Sequence, residues 1–305
     1  VRHRHSFGRS GYAVIVHGED QLGAVKANWS DYNADTHAKR KWCPPDALNL
    51  KNRNCSADTP NLMAARFNNG DNPANYFDDV IVFRGRPWGQ QTGGKVYCWG
   101  KDAEGAVGDD LNALDMNVPT PIALPTNVTS FSAFSAGYNH DCAIGNNGSA
   151  YCWGEGSGSV LGNGGSGDKF VPTLVTMPAG VRAVDISIRY NHACFIGNNG
   201  SAYCWGDNGS GQLGTDDYSP KSTPELVAPL PLGTGPLKSI VVGHEHSCAL
   251  DDAGKAYCWG SNGNGQLGSF GGGSNVAREV DLPIGAPLGF NFTSISAGER
   301  HTCAI

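Results

Sequence analysis

The stretch HACFIGNNGSAYCWGDNGSGQLG, residues 192–214, combines a cysteine pair with a glycine-rich loop after Cys-Trp-Gly, and it decides the fold. Similar strings recur at 96–108, 140–162 and 246–268. Their tryptophans follow one another at steps of 54, 52 and 54 residues: Trp99, Trp153, Trp205 and Trp259. A fixed period of about 50 residues indicates propeller blades or another repeat array, because one such unit needs neighbours to cover its faces.

The same stretch contains Gly209-Ser210-Gly211-Gln212-Leu213-Gly214, a G-x-G-x-x-G string. A dinucleotide fingerprint with this spacing occurs once, follows a strand and opens a helix. Here Gly263, Gly265 and Gly268 repeat the spacing, and no amphipathic pattern follows any copy. The glycines therefore belong to the repeat, and no cofactor is predicted.

The cysteines within each repeat have the spacing of a β-hairpin. Cys194 and Cys204 are centred on Asn199, with Gly200 one place later. An odd number of intervening residues fits a three-residue loop, which requires a left-handed residue such as Gly. Directly cross-strand cysteines have Cα atoms about 4.5 Å apart, which a disulfide can bridge. Three disulfides are predicted on this basis: Cys142–Cys152, Cys194–Cys204 and Cys248–Cys258.

Composition favours turns and short strands. The chain has 305 residues, with 43 Gly, 17 Pro and 16% charged residues, which suits one large all-β domain. The net charge of −6 does not indicate the positively charged surface that nucleic-acid binding requires. No apolar run reaches the roughly 18 residues of a membrane span. The start at Val1, without Met or a signal-like segment, predicts a processed product or a fragment.

The Trp-Gly…Gly-Gln-Leu-Gly loop, preceded by Ala-Gly…His-x-Cys-Ala, resembles the regulator of chromosome condensation repeat family. The resemblance implies an all-β fold, a β-propeller of repeated four-stranded blades whose family ring is seven-bladed. It is strong over 86–305, weak over 1–23 and absent over roughly 28–80.

Residues 1–305 are interpreted as one β-propeller domain or part of one, with about five repeats plus one strand. Residues 1–23 are a degenerate repeat, 28–80 an irregular connection with an insertion, and 86–305 the clear repeats. The family ring implies about two further blades. A longer mature chain, a smaller ring and an open ring all fit that count.

Metal binding is the alternative role for the cysteines, since His140, His192 and His246 each precede one by two positions. Structural zinc needs four converging ligands, whereas each hairpin offers three. Disulfides are therefore predicted and a metal site is not. The repeated histidines are expected to hydrogen-bond backbone at blade edges, and the tryptophans to pack between blades.

Persistent disulfides imply an oxidising compartment. Seven N-x-[ST] sequons agree with an extracellular or cell-surface protein that reached it by the secretory pathway. N-linked glycans are predicted at Asn28, Asn127, Asn147, Asn199 and Asn291. Asn208 lies inside the tight Trp-Gly loop and is expected to be bare, and Asn54 neighbours Cys55.

Four cysteines have no match within a hairpin. Cys98 faces Trp88, and the partner position of Cys303 lies ten residues further on. Cys303 is predicted to bond a segment outside residues 1–305 rather than Cys98. Cys98 is either free or bonded to Cys43 or Cys55; otherwise those two pair and staple the insertion.

No catalytic site is predicted. Ser-His-Asp, H-E-x-x-H and nucleophile-elbow patterns are absent, and the acidic pairs suit solvated turns: Asp109-Asp110, Asp216-Asp217 and Asp251-Asp252. The best-known family member is a guanine-nucleotide exchange factor that binds chromatin, but the disulfide pattern, sequons and acidic charge argue against that role. Secreted relatives, a bacterial β-lactamase inhibitor and plant receptor-kinase ectodomains, imply a binding platform.

We therefore expect a non-enzymatic secreted or cell-surface glycoprotein, an interaction or structural module that binds a protein partner or self-associates. An extracellular filament subunit fits this reading. A secreted enzyme inhibitor and a receptor ectodomain are the alternatives, and a guanine-nucleotide exchange factor is the least favoured.

Overall fold

The computed structural model of the chain describes residues 16–19, 25–27, 31–33, 38–40, 77–83, 86–91, 95–100, 102–110, 116–287 and 289–305. These residues form an all-β fold of 22 strands and contain no α-helix. Two short hairpins come first. They are formed by β1 (Val16–Glu19), β2 (Val25–Ala27), β3 (Asp31–Asn33) and β4 (Ala38–Arg40).

Four sheets of four consecutive antiparallel strands follow, and we name them blades A to D. Blade A contains β5 (Phe77–Phe83), β6 (Arg86–Gln91), β7 (Lys95–Gly100) and β8 (Met116–Pro121). Blade B contains β9 (Phe131–Ala136), β10 (His140–Gly145), β11 (Ala150–Gly154) and β12 (Lys169–Leu174). Blade C contains β13 (Ala183–Arg189), β14 (His192–Gly197), β15 (Ala202–Gly206) and β16 (Lys221–Leu226).

Blade D contains β17 (Leu237–Val242), β18 (His246–Asp251), β19 (Ala256–Gly260) and β20 (Ser274–Glu279). The two-stranded blade E contains β21 (Ile295–Ala297) and β22 (Thr302–Ala304). The repeated four-stranded sheet is the blade that the sequence period predicts.

The turn between the second and third strands has the predicted geometry. In blade C, the Gly197 N–H donates to the Ser201 carbonyl at 2.8 Å, which closes a loop of residues 198–200. Gly200 has a φ of +76°, the left-handed conformation that such a loop requires. Cys194 and Cys204 consequently face each other across the ladder.

The blades stack through their first strands. The backbone N–H of Ile188 donates to the Ser135 hydroxyl of blade B at 3.0 Å, and that of Ile240 donates to the Asp185 carboxylate of blade C at 3.0 Å. Apolar clusters lie between blades A and B, B and C, and C and D. The core is therefore a series of blade interfaces, as expected where one sheet cannot cover both of its faces.

The repeated tryptophan fills each of these interfaces. Trp205 is fully buried, and its indole N–H donates to the Val160 carbonyl of blade B at 2.8 Å. Trp153 and Trp259 make the corresponding bonds to Ala106 and Gln212. The side chain of Trp99 lies outside the described residues.

The glycine string 209–214 supports this packing. Gly214 has a φ of +69°, and a Cβ added there would lie 2.9 Å from the indole of Trp259. Buried Asn208 holds the loop, since its side-chain oxygen accepts the Leu213 N–H at 3.0 Å. Backbone conformation and close approach to the indole together explain Gly214.

Candidate functional site

The disulfides link the second and third strands of three consecutive blades. Their Cα atoms are 4.1 Å apart in every case, and all six cysteines are buried: Cys142–Cys152, Cys194–Cys204 and Cys248–Cys258. These are the pairs that the hairpin spacing predicts. Each one locks the middle of a blade, so the surfaces that the blades carry are held on a rigid support.

The repeated histidines connect neighbouring blades. His192 Nε2 lies 2.9 Å from Ser247 Oγ of blade D, and His246 Nε2 lies 3.0 Å from Thr302 Oγ1 of blade E. The sequence predicted a backbone partner, whereas the structure places a hydroxyl of the next blade there. Relative blade positions decide this partner, and sequence alone does not supply them.

These contacts also fix the protonation of the two imidazoles. Ser247 donates its hydroxyl proton to the Gln212 carbonyl at 2.9 Å, so His192 must donate from Nε2. Burial, assisted by the charges of His246 and His244, lowers the pKa of His192 to about 3. Burial and the nearby Arg189 lower the pKa of His246 to about 4. Both rings are neutral at pH 7.

A second set of contacts links the turns between the first and second strands of the blades. The residue two places before each repeated histidine lies at this turn, and His301 of blade E continues the series His140, His192 and His246. We name these residues the turn ridge: Tyr138, Tyr190, His244 and Glu299. The ridge runs across blades B, C, D and E.

The rings of the turn ridge touch one another. Tyr138 stacks on Tyr190 with ring centroids 5.7 Å apart and an interplanar angle of 17°. Tyr190 meets His244 edge to face at 4.3 Å, and the backbone N–H of His244 donates to the Glu299 carbonyl at 3.1 Å. Tyr138 is 39% exposed, and Tyr190 and His244 are partly exposed. The ridge is therefore continuous, and solvent reaches it.

Two features hold the ridge in place. Arg189 is buried, and its guanidinium donates to the Ala297 carbonyl at 2.7 Å, which ties blade C to blade E across blade D. The next residue, Tyr190, has a φ of +36°. Positive φ is costly for a residue other than glycine and persists where the surrounding structure imposes it.

The chemistry of the ridge suits a protein partner. Tyrosine and arginine are enriched at protein interfaces because one side chain offers apolar area together with hydrogen bonds. Exposed polar residues adjoin the ridge in sequence: Asn191 follows Tyr190, and Arg300 follows Glu299. An apolar centre with a polar rim is the usual anatomy of a binding patch.

The predicted glycan acceptors that the structure describes lie on the surface. Asn147 and Asn199 are exposed at hairpin tips, and Asn127 and Asn291 are exposed in loops between blades. Asn208 is fully buried, and its side-chain nitrogen donates to the Asp217 carboxylate at 2.9 Å. The side-chain nitrogens of Asn147 and Asn199 also donate, to the Tyr151 and Tyr203 hydroxyls, so burial alone separates Asn208 from the other four.

Several predicted residues lie outside the described part of the chain: Cys43, Cys55, Asn28 and Asn54. Cys98 is buried in β7, directly opposite Trp88. Cys303 is exposed in β22 and forms no disulfide with any described residue.

The acidic pair Asp251-Asp252 is predicted to lie in a solvated turn, and for one of its two residues this prediction is wrong. Asp252 is exposed, but Asp251 is fully buried. Its carboxylate accepts the Lys255 N–H at 2.8 Å and the Tyr257 hydroxyl at 3.2 Å. The Asp251 side chain therefore stabilises the hairpin between β18 and β19 by hydrogen bonds to residues on its far side. The adjacent Asp252 is exposed.

The turn ridge is not evident from the sequence alone. Its signal is the repeated position two residues before the histidine, which reads Tyr-Asn-His, Tyr-Asn-His and His-Glu-His. Aromatic rings at a repeated turn position indicate contact between neighbouring blades.

Within the described residues, no cluster of three or more His, Cys, Asp or Glu side chains has the geometry to hold a metal ion. In the same part of the chain, no helix combines the length and the apolar character that crossing a membrane requires.

Comparison with known proteins identifies the repeat. The sequence profile of the Regulator of chromosome condensation (RCC1) repeat matches residues 93–144, 147–196, 199–250 and 253–305. The probable E3 ubiquitin-protein ligase HERC6 of Homo sapiens is 30% identical over 217 residues, 70% of this chain and 21% of HERC6. The ultraviolet-B receptor UVR8 of Arabidopsis thaliana is 29% identical over 219 residues, 70% of this chain and 47% of UVR8. The chain thus spans less than half the length of either relative.

Two solved structures share the fold. Human WBSCR16 superposes with a TM-score of 0.65 at 18% identity, covering 78% of this chain and 61% of WBSCR16. Prp20p of Saccharomyces cerevisiae, a protein reported with binding to Gsp1p and histones, superposes with a TM-score of 0.61 at 18% identity, covering 75% of this chain and 55% of Prp20p.

Proposed function

Since the chain belongs to the Regulator of chromosome condensation (RCC1) repeat family, we propose that it is a non-enzymatic, secreted or cell-surface glycoprotein that acts as an interaction or structural β-propeller module. Its partners are proteins, including copies of itself. An extracellular filament subunit is the self-associating form of this module.

The observation that carries the proposal is the set of three disulfides at equivalent positions in blades B, C and D. Structural disulfides persist outside the reducing cytosol. Such links would keep the blades rigid in a compartment without chaperones. Four exposed sequons support the same compartment.

The turn ridge is the proposed contact surface. Prp20p, which has the same fold, is reported to bind proteins, and we extend to this chain only the use of a propeller surface for protein contacts. The rings of Tyr138, Tyr190 and His244 are already ordered against one another. Binding at the ridge would therefore cost little side-chain entropy.

The proposed extracellular compartment is tested by measuring the intact mass of protein from its natural source. The mass is compared before and after enzymatic removal of N-glycans, and with and without reductant. We expect a mass loss on deglycosylation and a gain of about two hydrogens per disulfide on reduction. An unmodified mass in both treatments would contradict the extracellular assignment.

The contact surface is tested by placing a photo-crosslinking amino acid at Tyr138 or at Tyr218, which is 59% exposed and does not belong to the ridge. In the native host, position 138 should give a specific adduct that Tyr190→Ala removes. The same adducts at both positions, or an adduct that survives Tyr190→Ala, would contradict a ridge-centred interface.

A further inference from the structure

Each blade has two ends that carry different connections. At one end lie the turns between the second and third strands and the linkers from one blade to the next. Backbone bonds join these segments, since the Leu237 N–H, directly after a linker, donates to the Gly200 carbonyl of the blade C turn at 2.8 Å. We name this end the hairpin face. It contains the turns 146–149, 198–201 and 252–255 and the linkers 122–130, 175–182, 227–236, 280–287 and 289–294.

The turn ridge lies at the opposite end, because connections between antiparallel strands alternate between the two ends of a blade. The loops between the third and fourth strands lie there too. The Asp207 N–H, which begins such a loop, donates to the Asn191 carbonyl beside Tyr190 at 2.8 Å. We name this end, the ridge and these loops together, the ridge face.

Every exposed glycan acceptor that the structure describes lies on the hairpin face. Two are in turns and two are in linkers: Asn147 and Asn199, and Asn127 and Asn291. Their sequons read Asn-Gly-Ser, Asn-Val-Thr and Asn-Phe-Thr, so the shared placement does not come from copying one repeat. Asn208, the described acceptor on the ridge face, is fully buried.

The acceptor of blade D reaches its turn from another segment. The turn itself has Ala253 where blades B and C have Asn147 and Asn199. Asn291 of the following linker lies against this turn, since a Cβ added at Gly254 would be 2.7 Å from the Asn291 Cβ. An acceptor therefore lies beside each of the three turns, although the turn sequence supplies only two of them.

Two linkers of the same face present large apolar side chains to solvent. Leu232 and Ile284 are 102% and 108% exposed. Leu232 is at the apex of a tight turn, in which the Thr234 N–H donates to the Pro231 carbonyl at 3.2 Å, and Ile284 follows its proline in the same way. Leu232 lies between two four-stranded blades, so its exposure comes from the turn itself. The matching positions of the preceding linkers are small or polar: Thr126 and Ala179.

Each apolar apex has an acceptor in its neighbourhood. A Cβ added at Gly200, which follows Asn199, would lie 2.7 Å from the Pro236 Cβ. Pro236 is four residues after Leu232, and four extended residues span at most about 14 Å. Ile284 and Asn291 belong to the same linker.

On the basis of the glycosylation proposed above, we infer that the N-glycans at Asn199 and Asn291 shield Leu232 and Ile284 from a second copy of the chain. N-linked glycans are bulky and solubilising, so they keep another protein away from apolar groups beneath them. Without them, a two-fold contact between hairpin faces brings the same apolar side chains of both copies together, and their burial is favourable. The ridge face remains as the face that binds protein partners.

The shield is tested by sedimentation of protein from its native host, before and after enzymatic removal of N-glycans. Removal should strengthen self-association about tenfold or more. Asn199→Gln combined with Asn291→Gln should have the same effect, which separates the loss of the glycan from the carboxylate that enzymatic removal leaves behind.

Substitutions at the apices show whether they carry this association. Leu232→Ser combined with Ile284→Ser should abolish the self-association that deglycosylation produces. Both side chains are fully exposed, so the fold should tolerate the changes. The matched control is Tyr218→Ser, which removes an exposed ring from a loop of the ridge face and should leave the association unaltered.

Two single substitutions place a new glycan on either face. Leu232→Asn creates Asn-Gly-Thr on the hairpin face, and Glu245→Asn creates Asn-His-Ser beside His244 on the ridge face. Leu232→Gln and Glu245→Gln are the controls without an acceptor. In the glycosylated fraction, purified on a lectin column, the new ridge-face glycan should reduce partner cross-linking from position 138 about tenfold or more, and the hairpin-face glycan should leave it unchanged.

The outcomes separate the shield from the proposed function. Unmodified Asn199 and Asn291 in the native protein would contradict the glycosylation on which both rest. Glycans that can be removed without any gain in self-association would overturn the shield alone, as would association that persists in the Leu232→Ser, Ile284→Ser variant. Loss of partner cross-linking on glycosylation at position 232 would place a partner on the hairpin face and overturn one-sided binding.

Discussion

The indole N–H of Trp205 in blade C donates to the Val160 carbonyl of blade B at 2.8 Å, within an interface that excludes water. Trp205→Phe keeps an aromatic ring but removes the donor and leaves a small cavity. We expect the free energy of unfolding to fall by about 3 kcal/mol. Urea unfolding followed by circular dichroism measures this, with Tyr218→Phe as an exposed control. A loss below about 0.5 kcal/mol would contradict the interface role.

The Cys194–Cys204 disulfide joins residues separated by ten positions. By the loop-entropy estimate, replacing both cysteines with alanine should lower the free energy of unfolding by about 2–3 kcal/mol. The matched control is Cys303→Ser, which changes an exposed thiol and should stay within about 0.5 kcal/mol of the parent. Equal stability of the double variant and the control would argue against the bond.

The two buried histidines predict a pH dependence. Their pKa values of about 3 for His192 and about 4 for His246 lie below the ordinary 6.5. The unfolded chain therefore binds protons below about pH 6.5 that the folded chain does not. Stability is complete above that pH and falls by about 1.4 kcal/mol per pH unit per histidine as the pH drops towards about 4.

Urea titrations at pH 7.5, 6.5, 5.5 and 5.0 measure this slope. His192→Gln keeps a side-chain donor for Ser247 without a titrating group, so it should remove about half of the slope. Tyr218→Phe changes an exposed side chain that does not act on either histidine and should leave the slope unaltered. An unchanged slope in His192→Gln would show that this ring is not the source.

Glycan occupancy should follow exposure. Peptide mass spectrometry of the native protein should find modified Asn127, Asn147, Asn199 and Asn291, which are exposed, and unmodified Asn208, which is fully buried. Asn28 is also predicted to be modified from its sequence. Modification of Asn208 would require its loop to open, and would contradict the bonds that Asn208 makes to Leu213 and Asp217.

The sequence reveals what is local to one repeat. The spacing of Cys194 and Cys204 about Asn199 is a property of one hairpin, and turn chemistry at Gly200 fixes its register. The pairing of Cys98 with the position of Trp88 follows from the same alignment.

The sequence does not reveal what depends on how one blade sits on the next. The partner of His192 is Ser247, 55 residues away, and the ring of Tyr190 touches both Tyr138 and His244. Twist and separation of neighbouring blades decide these contacts. The sequence likewise predicts that Asp251 lies in a solvated turn. Only the fold shows that the Gly235 N–H and the Tyr257 hydroxyl donate hydrogen bonds to its carboxylate.

The central claim, a disulfide-stapled propeller that works outside the cytosol, is tested most directly by non-reducing peptide mapping of protein from its natural source. We expect three linked peptide pairs, Cys142–Cys152, Cys194–Cys204 and Cys248–Cys258. Free thiols or bound zinc at these six positions would contradict the claim, and with it the extracellular assignment.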